Sequence, residues 1–181
     1  MKFSIKENIQ IDKIIEQALL EDIGTGDITT DSIIPHNLKT KGVIKTKEEG
    51  VIAGLGIAKL VFKKLDSNII FQENIEDGTK VSQNKILAEI TGPARIMLKG
   101  ERVALNFLQR MSGIATTTSK FYEEIKGFPV RIVDTRKTTP GLRILEKYAV
   151  RMGGGSNHRF GLYDAVSVSY THLTLPTICS V

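Results

Sequence analysis

Apolar positions near the N-terminus recur at intervals of three and four residues, which predicts a helix with one buried face. These positions are Ile11, Ile14, Ile15, Ala18 and Leu19. Asp12 and Gly24 are the start and stop signals of this helix. The segment 24–31 is rich in turn-forming residues and predicts a loop that Pro35 closes.

Shorter apolar segments follow, and they predict a small α+β domain. Strands are expected around residues 42–46, 51–53, 69–71 and 86–90, and a short helix over 57–65. The turn Asp77-Gly78-Thr79 separates the last two of these strands.

The pattern changes after Ala94. Apolar residues between Ile96 and Leu108 predict a helix that breaks near Gly100, and a second helix is expected over 117–125. The run 130–134 predicts a short buried strand, and 142–150 predicts a helix after a proline-glycine turn. This order is typical of a parallel βα unit, so we place a domain boundary near 111–113.

Composition indicates an ordinary globular protein. The chain has 181 residues, of which 41% are hydrophobic and 25% charged. No apolar run approaches the roughly 20 residues that span a bilayer. The N-terminus lacks the apolar stretch of a signal peptide, and a single cysteine, Cys179, excludes an internal disulfide. We therefore expect a cytoplasmic protein.

The net charge of +5 is compatible with nucleic-acid binding, but scattered lysines and 6% aromatics favour a small anionic ligand.

Two motifs concentrate cations among residues that bend the backbone. Arg136 and Lys137 directly follow the predicted strand, where ligands bind in parallel α/β folds. Arginine matches carboxylate or phosphate with a planar fork, and lysine supplies a compact charge. Thr135 adds a hydroxyl beside them. These residues predict a site for a multiply anionic ligand; the alternative is two solvent-facing cations in a surface loop.

His158 and Arg159 follow three consecutive glycines. Such a segment can direct backbone N–H groups at an anion, and His158 could donate to a carboxylate or move a proton. The alternative is a flexible connector. Arg102, on a predicted helix, is either a further site residue or a surface residue paired with Glu101.

The acidic residues of the N-terminal loop admit two interpretations. They could hold a metal, but the Asp27-Ile28-Thr29 run is more simply a helix stop followed by an Asx turn. The sequence contains no P-loop, dinucleotide fingerprint, zinc spacing or nucleophile motif.

Four motifs together closely resemble the quinolinate phosphoribosyltransferase family: 21–29, 102–106, 134–143 and 153–164. The resemblance implies an α/β protein with an N-terminal α+β sandwich domain, residues 1–111, followed by the first strands of an incomplete βα (TIM-like) barrel, residues 112–166. It implies a type II phosphoribosyltransferase that acts as a homodimer or higher assembly with shared active sites.

The implied reaction joins quinolinate to 5-phosphoribosyl-1-diphosphate with Mg²⁺. It gives nicotinate mononucleotide, pyrophosphate and CO₂ on the route to NAD. By motif match, Arg102 reaches into the partner's site, while the other substrate-binding residues line the site of their own subunit: Thr135, Arg136, Lys137, His158 and Arg159. We expect the acidic Mg²⁺ ligands and a further lysine to lie beyond this sequence.

The sequence departs from the family after Val166, where residues 167–181 look like translated sequencing-adapter DNA. We therefore expect a truncated chain that is inactive alone and aggregation-prone, because a partial barrel exposes strand edges. Three other readings stay open: a silent anion-binding module, a paralogue linked to molybdenum transport, and a nucleic-acid binder.

Overall fold

The computed structural model describes residues 9–164, and it contains five helices and five strands. The helices are α1 (Ile9–Ile23), α2 (Ile28–Ile33), α3 (Leu55–Leu65), α4 (Ala94–Glu124) and α5 (Arg143–Met152). The strands are β1 (Lys39–Lys45), β2 (Gly50–Val51), β3 (Ile70–Glu73), β4 (Lys80–Val81) and β5 (Ile86–Pro93). The predicted tail, 167–181, lies outside the described residues.

The N-terminal part is an antiparallel sheet packed against helices, which confirms the predicted α+β arrangement. β5 pairs with β1 on one side and with β3 on the other, and β2 pairs with β4 in a separate two-stranded sheet. The apolar face of α1 is buried where the periodicity predicts it, at Ile11, Ile15 and Leu19. No described helix combines the length and apolar character that crossing a membrane requires.

α4 is one continuous helix of 31 residues, so the predicted break near Gly100 is wrong. A Cβ on Gly100 would lie 2.9 Å from ring carbons of Phe62 and 3.1 Å from the Leu65 side chain. The glycine therefore permits the close approach of α3 to α4, and the helix passes through it unbroken. The predicted boundary near 111–113 lies inside α4, and the division into domains at that point stays a prediction.

The segment 130–134 is extended, but it is not the buried strand that its apolar run predicts. Val130 is 55% exposed and Val133 is 51% exposed. Its ladder contact within the described residues is a single parallel bridge between Val133 and Ser156. The parallel direction agrees with the predicted βα unit, and α5 begins one residue and ends two residues later than the sequence predicts.

Asp27 begins a helix instead of closing an Asx turn. Its Oδ1 accepts a 2.9 Å hydrogen bond from the Thr30 amide, which makes Asp27 the N-cap of α2. Hydrogen bonding by the Thr30 side chain, followed by that of the Thr30 amide, lowers the pKa of the Asp27 carboxyl. Asp31 of α2 then forms ion pairs with Arg95 and Lys99 and thereby fixes this short helix against α4.

Candidate anion-binding site

The parallel bridge between Val133 and Ser156 brings the two cationic motifs to the same end of the molecule. The Ser156 amide donates to the Ile132 carbonyl at 2.9 Å, and the Asp134 amide donates to the Ser156 carbonyl at 3.2 Å. We call residues 134–140, at the end of the extended segment, the first loop. Residues 156–160, which begin at the bridging Ser156, are the second loop. The motifs that sequence analysis singled out are therefore neighbours in space.

The carboxylate of Asp134 joins the two loops. It accepts hydrogen bonds from the Asn157 side-chain amide and, at 2.8 Å, from the His158 backbone amide. It also forms an ion pair with Lys147 of α5. The Asp134 side chain is 6% exposed and that of Lys147 is fully buried, so water does not screen this pair.

Lys147 also contacts the second loop directly. Its ammonium donates to the His158 carbonyl at 3.4 Å and lies 5.0 Å from the centre of the Phe160 ring. Sequence reasoning missed this residue, because a lysine within a predicted helix is usually solvated. The available signal was its position three residues after Ile144 on the apolar face of α5.

Arg143 binds the backbone of both loops. It donates to the Thr138 hydroxyl at 3.1 Å, to the Phe160 carbonyl at 2.9 Å and to the Arg136 carbonyl at 3.4 Å. Arg143 is the last residue of the cationic motif 134–143. In the structure its guanidinium is instead occupied by the protein's own acceptors.

The far end of the first loop is fixed to α4 and α5 by a second polar group. Arg110 forms an ion pair with Glu146 and donates to the Thr139 hydroxyl. The Thr139 amide donates to the other Glu146 oxygen at 3.2 Å. Burial raises the pKa of the Glu146 carboxyl, but the Arg110 and Thr139 hydrogen bonds outweigh it, so the pKa lies below its usual value.

The predicted ligand-binding cations of the first loop carry no ion pair with another described residue. Lys137 is exposed, and its backbone amide donates to the Thr135 hydroxyl at 3.0 Å. The guanidinium of Arg136 is partly buried, and its Nε has no hydrogen-bond partner among the described residues. A buried donor without a partner is unfavourable, so this atom suits an added acceptor.

The second loop supplies the other two predicted cations. His158 is exposed, and Arg159 is partly buried and takes part in interactions of its own. Because the Asp134 carboxylate and the Lys147 ammonium hold the His158 backbone on both sides, the position of this residue is fixed relative to Arg136.

Arg102 lies apart from these loops within the chain. It is exposed on α4, eight residues before Arg110, which is a rise of about 12 Å along a helix. Its side chain forms no hydrogen bond or ion pair with another described residue. The chain therefore does not bring Arg102 to its own loops, and its placement in a partner's site stays a prediction.

A groove of about 760 Å³ borders the first loop. Pro140 and Arg110 line one side of it, and α1 lines the other with Glu21 and Asp22, the first two residues of the motif 21–29. The described residues hold no group of three or more His, Cys, Asp or Glu side chains arranged to hold a metal ion.

Residues 27–112 match the family model for the quinolinate phosphoribosyl transferase N-terminal domain, and residues 114–177 match that for its C-terminal domain.

The probable nicotinate-nucleotide pyrophosphorylase (carboxylating) of Bacillus subtilis is 46% identical over 166 residues, which are 92% of this chain and 57% of that protein. A quinolinate phosphoribosyltransferase (decarboxylating) of Nicotiana tabacum is 40% identical and covers 89% of this chain and 46% of its own length.

The crystal structure of NadC from Streptococcus pyogenes superimposes with a TM-score of 0.87 at 43% identity. The superposition covers 91% of this chain and 58% of that one. The chain thus spans a little over half of the bacterial relatives it matches, and its fold is an N-terminal α+β domain with the first part of a βα barrel. Family models, curated relatives and solved structures all agree, and the chain belongs to the quinolinate phosphoribosyltransferase family.

Proposed function

We propose that this chain supplies the quinolinate-binding part of an active site that transfers a phosphoribosyl group. The reaction joins quinolinate to 5-phosphoribosyl-1-diphosphate and gives nicotinate mononucleotide, pyrophosphate and CO₂, in the biosynthesis of NAD. One observation carries the proposal: the buried Nε of Arg136, on one of two paired loops that present cations, has no partner within the described residues.

The chemistry of quinolinate fits this arrangement. Two adjacent carboxylates need more than one cation, and guanidinium groups bind carboxylates through two parallel hydrogen bonds. We assign Arg136 and Arg159 to the carboxylates, with His158 assisting. Lys137, the exposed point charge at the tip of the first loop, is assigned to the diphosphate, and Thr135 lines the site beside it.

The proposed reaction proceeds by exchange at the anomeric carbon of the ribose. The ring nitrogen of quinolinate forms the new C–N bond, and the C–O bond to pyrophosphate breaks with the electron pair leaving on oxygen. The nitrogen is then cationic, so the carboxylate beside it departs as CO₂ and the ring accepts the electron pair. The ring carbon that lost CO₂ finally takes up a proton. The cationic loops hold quinolinate in place during these steps.

Arg102 is assigned to the active site of a second copy. Its exposure on α4 and the absence of any ion pair with another described residue support this assignment. The proposal therefore includes a homodimer in which each chain completes the other's site. A cytoplasmic location stays a prediction from the sequence.

Mg²⁺ remains a prediction as the partner of the diphosphate. The described residues do not form a metal-binding cluster of their own. When bound with the substrate, Mg²⁺ would neutralise charge on the leaving pyrophosphate.

The test is a calorimetric titration of the 181-residue chain with quinolinate, using nicotinate as the single-carboxylate comparison. We expect quinolinate to bind at least tenfold more tightly than nicotinate. Arg136→Ala is expected to weaken quinolinate binding by tenfold or more, since a charged hydrogen bond contributes about 1.5–3 kcal/mol. Arg131→Ala removes an exposed cation of the extended segment and is the matched control, with binding within twofold of wild type.

Turnover is tested separately in a chimera that joins residues 1–164 to the C-terminal remainder of the Bacillus subtilis relative. Formation of nicotinate mononucleotide by the chimera, abolished by Arg136→Ala, is the expected result. If neither protein distinguishes quinolinate from nicotinate, the assignment of the loops to the dicarboxylate is wrong.

A further inference from the structure

Arg143 and Lys147 are two cations on α5 whose charged groups donate hydrogen bonds to acceptors of the protein itself. They are four residues apart, so they lie on the same face of the helix. Each contacts both loops: Arg143 binds Thr138 and the Phe160 carbonyl, while Lys147 binds Asp134 and the His158 carbonyl. We call this pair the α5 brace.

We propose that the α5 brace, together with Asp134, positions the ligand-binding cations of the two loops without touching the ligand. This inference rests on the proposed function, because it concerns the geometry of the same site. It assigns roles to three residues that bind none of the substrate atoms.

The hydrogen bonds of Asp134 show why a carboxylate is needed at this point. Its two oxygens accept from three donors: the Lys147 ammonium, the Asn157 side-chain amide and the His158 backbone amide. These donors come from α5 and from the second loop, whereas Asp134 itself precedes Arg136 by two residues. A shift of this carboxylate therefore displaces Arg136 and His158 relative to one another.

Stability alone does not account for a fully buried lysine at this position. Two apolar side chains of similar volume are often as stable as a buried ion pair, because the pair must be removed from water. An apolar pair cannot direct three hydrogen bonds to fixed atoms, however. The brace should therefore affect ligand affinity separately from folding stability.

The decisive experiment separates these two effects by removing both charges. Lys147→Met alone leaves a buried unpaired carboxylate, and Asp134→Asn alone leaves a buried unpaired ammonium, so each single variant should lose stability. The Asp134→Asn/Lys147→Met double variant removes both charges and should regain most of the lost Tm. We expect its affinity for quinolinate to remain at least tenfold below wild type.

Val61→Ala is the control for general loss of stability, since Val61 is fully buried in the core on α3 and does not line the groove that borders the first loop. It should lower Tm with less than a twofold change in quinolinate affinity. A double variant that binds quinolinate within twofold of wild type would overturn the proposal, because the pair would then serve folding only.

A second variant covers failure of the double variant to fold. Arg143→Lys keeps the charge of a partly exposed side chain, but a single nitrogen cannot reach the Thr138 hydroxyl and the Phe160 carbonyl together. We expect a fivefold or greater loss of quinolinate affinity with Tm within about 3 °C of wild type. Unchanged affinity in this variant also contradicts the proposal.

Failure of the proposed function gives a different result. If the wild-type chain binds no quinolinate, the substrate assignment fails, and the same variants are titrated with inorganic phosphate. A tenfold loss of phosphate affinity in the double variant would still support the brace, and an unchanged phosphate affinity would overturn it.

Discussion

The hydroxyl of Tyr148 on α5 donates a 2.9 Å hydrogen bond to the carboxylate of Asp77, which lies 71 positions earlier in the chain. The same carboxylate accepts from the backbone amides of Gly54, at 2.9 Å, and Leu55, at 3.1 Å, at the start of α3. Asp77 thus satisfies two donors at the N-terminus of α3, where Gly54 has no side chain to do so. Burial, followed by the charge of Asp77, raises the pKa of the Tyr148 hydroxyl.

Removing the two ends of this link should have unequal effects. Tyr148→Phe deletes one neutral-to-charged hydrogen bond and should lower the free energy of unfolding by about 1–2 kcal/mol. Asp77→Ala leaves two amides of α3 unsatisfied as well, so we expect a larger loss of about 2–4 kcal/mol. Urea denaturation of the two single variants and the double variant measures this, and additive losses would contradict a direct link.

Hydroxyls of α4 satisfy the backbone beside β2. Ser112 Oγ accepts from the Ala53 amide at 3.1 Å and donates to the Ala53 carbonyl at 3.2 Å. Because Ala53 is buried, Ser112→Ala should leave both groups without a partner and lower the unfolding free energy by about 2–3 kcal/mol. Thr117→Ala is the control, since this exposed hydroxyl bonds only the Gly113 carbonyl of its own helix. Equal losses in thermal denaturation would refute the role given to Ser112.

The helical parts of the fold could be predicted because amphipathic spacing depends on local sequence alone. The spacing predicts the ends of α1, α3 and α5 to within two residues, except for the start of α1. Spacing could not show whether the helix breaks at Gly100, because the role of this glycine depends on the Phe62 ring, which belongs to another helix. Glycine lowers helix propensity, but packing against α3 outweighs that preference.

The candidate site shows the same limit. Arg136, Lys137, His158 and Arg159 could be predicted as site residues because they follow extended segments among bend-forming residues, and their roles stay predictions. The Asp134–Lys147 pair could not be found, since it depends on tertiary burial of a helix face. Arg143 belongs to the same motif as Arg136, yet only the structure shows that the Arg143 guanidinium holds the loops, while the buried Nε of Arg136 has no partner among the described residues.

Two glycines that adjoin or lie within the helices should respond to alanine in opposite directions. A Cβ on Gly153 would lie 2.3 Å from the Ala115 carbonyl oxygen of α4, whereas a Cβ on Gly113 would meet nothing within 4 Å. Gly153→Ala should therefore separate the end of α5 from α4 and cost about 1–3 kcal/mol. Gly113→Ala should stabilise by up to about 1 kcal/mol through helix propensity. Paired Tm measurements check this, and a stabilised Gly153→Ala would contradict the close approach.

The Glu146 carboxylate should make the first loop sensitive to acid. Its pKa lies below the usual value of 4.5, because hydrogen bonds from Arg110 and Thr139 outweigh the effect of burial. At pH values between the folded and the unfolded pKa of Glu146, the folded state thus binds fewer protons than the unfolded chain. The stabilisation is complete above the unfolded pKa and is lost as the pH falls through the lower folded pKa.

The charge-removing variant Glu146→Gln tests this dependence. At pH 7 we expect its free energy of unfolding to be about 1–2 kcal/mol below that of wild type. The reason is that Arg110 loses its ionic partner and the Thr139 amide loses a charged acceptor. The difference should shrink steadily as urea denaturation is repeated from pH 5 down to pH 3, since wild-type Glu146 is itself neutralised there. Glu101→Gln, a matched change of an exposed carboxyl on α4, should leave the free energy of unfolding at pH 7 within about 0.5 kcal/mol of wild type. A difference that stays constant across this range would mean that the side chain stabilises the loop by its shape and not by its charge.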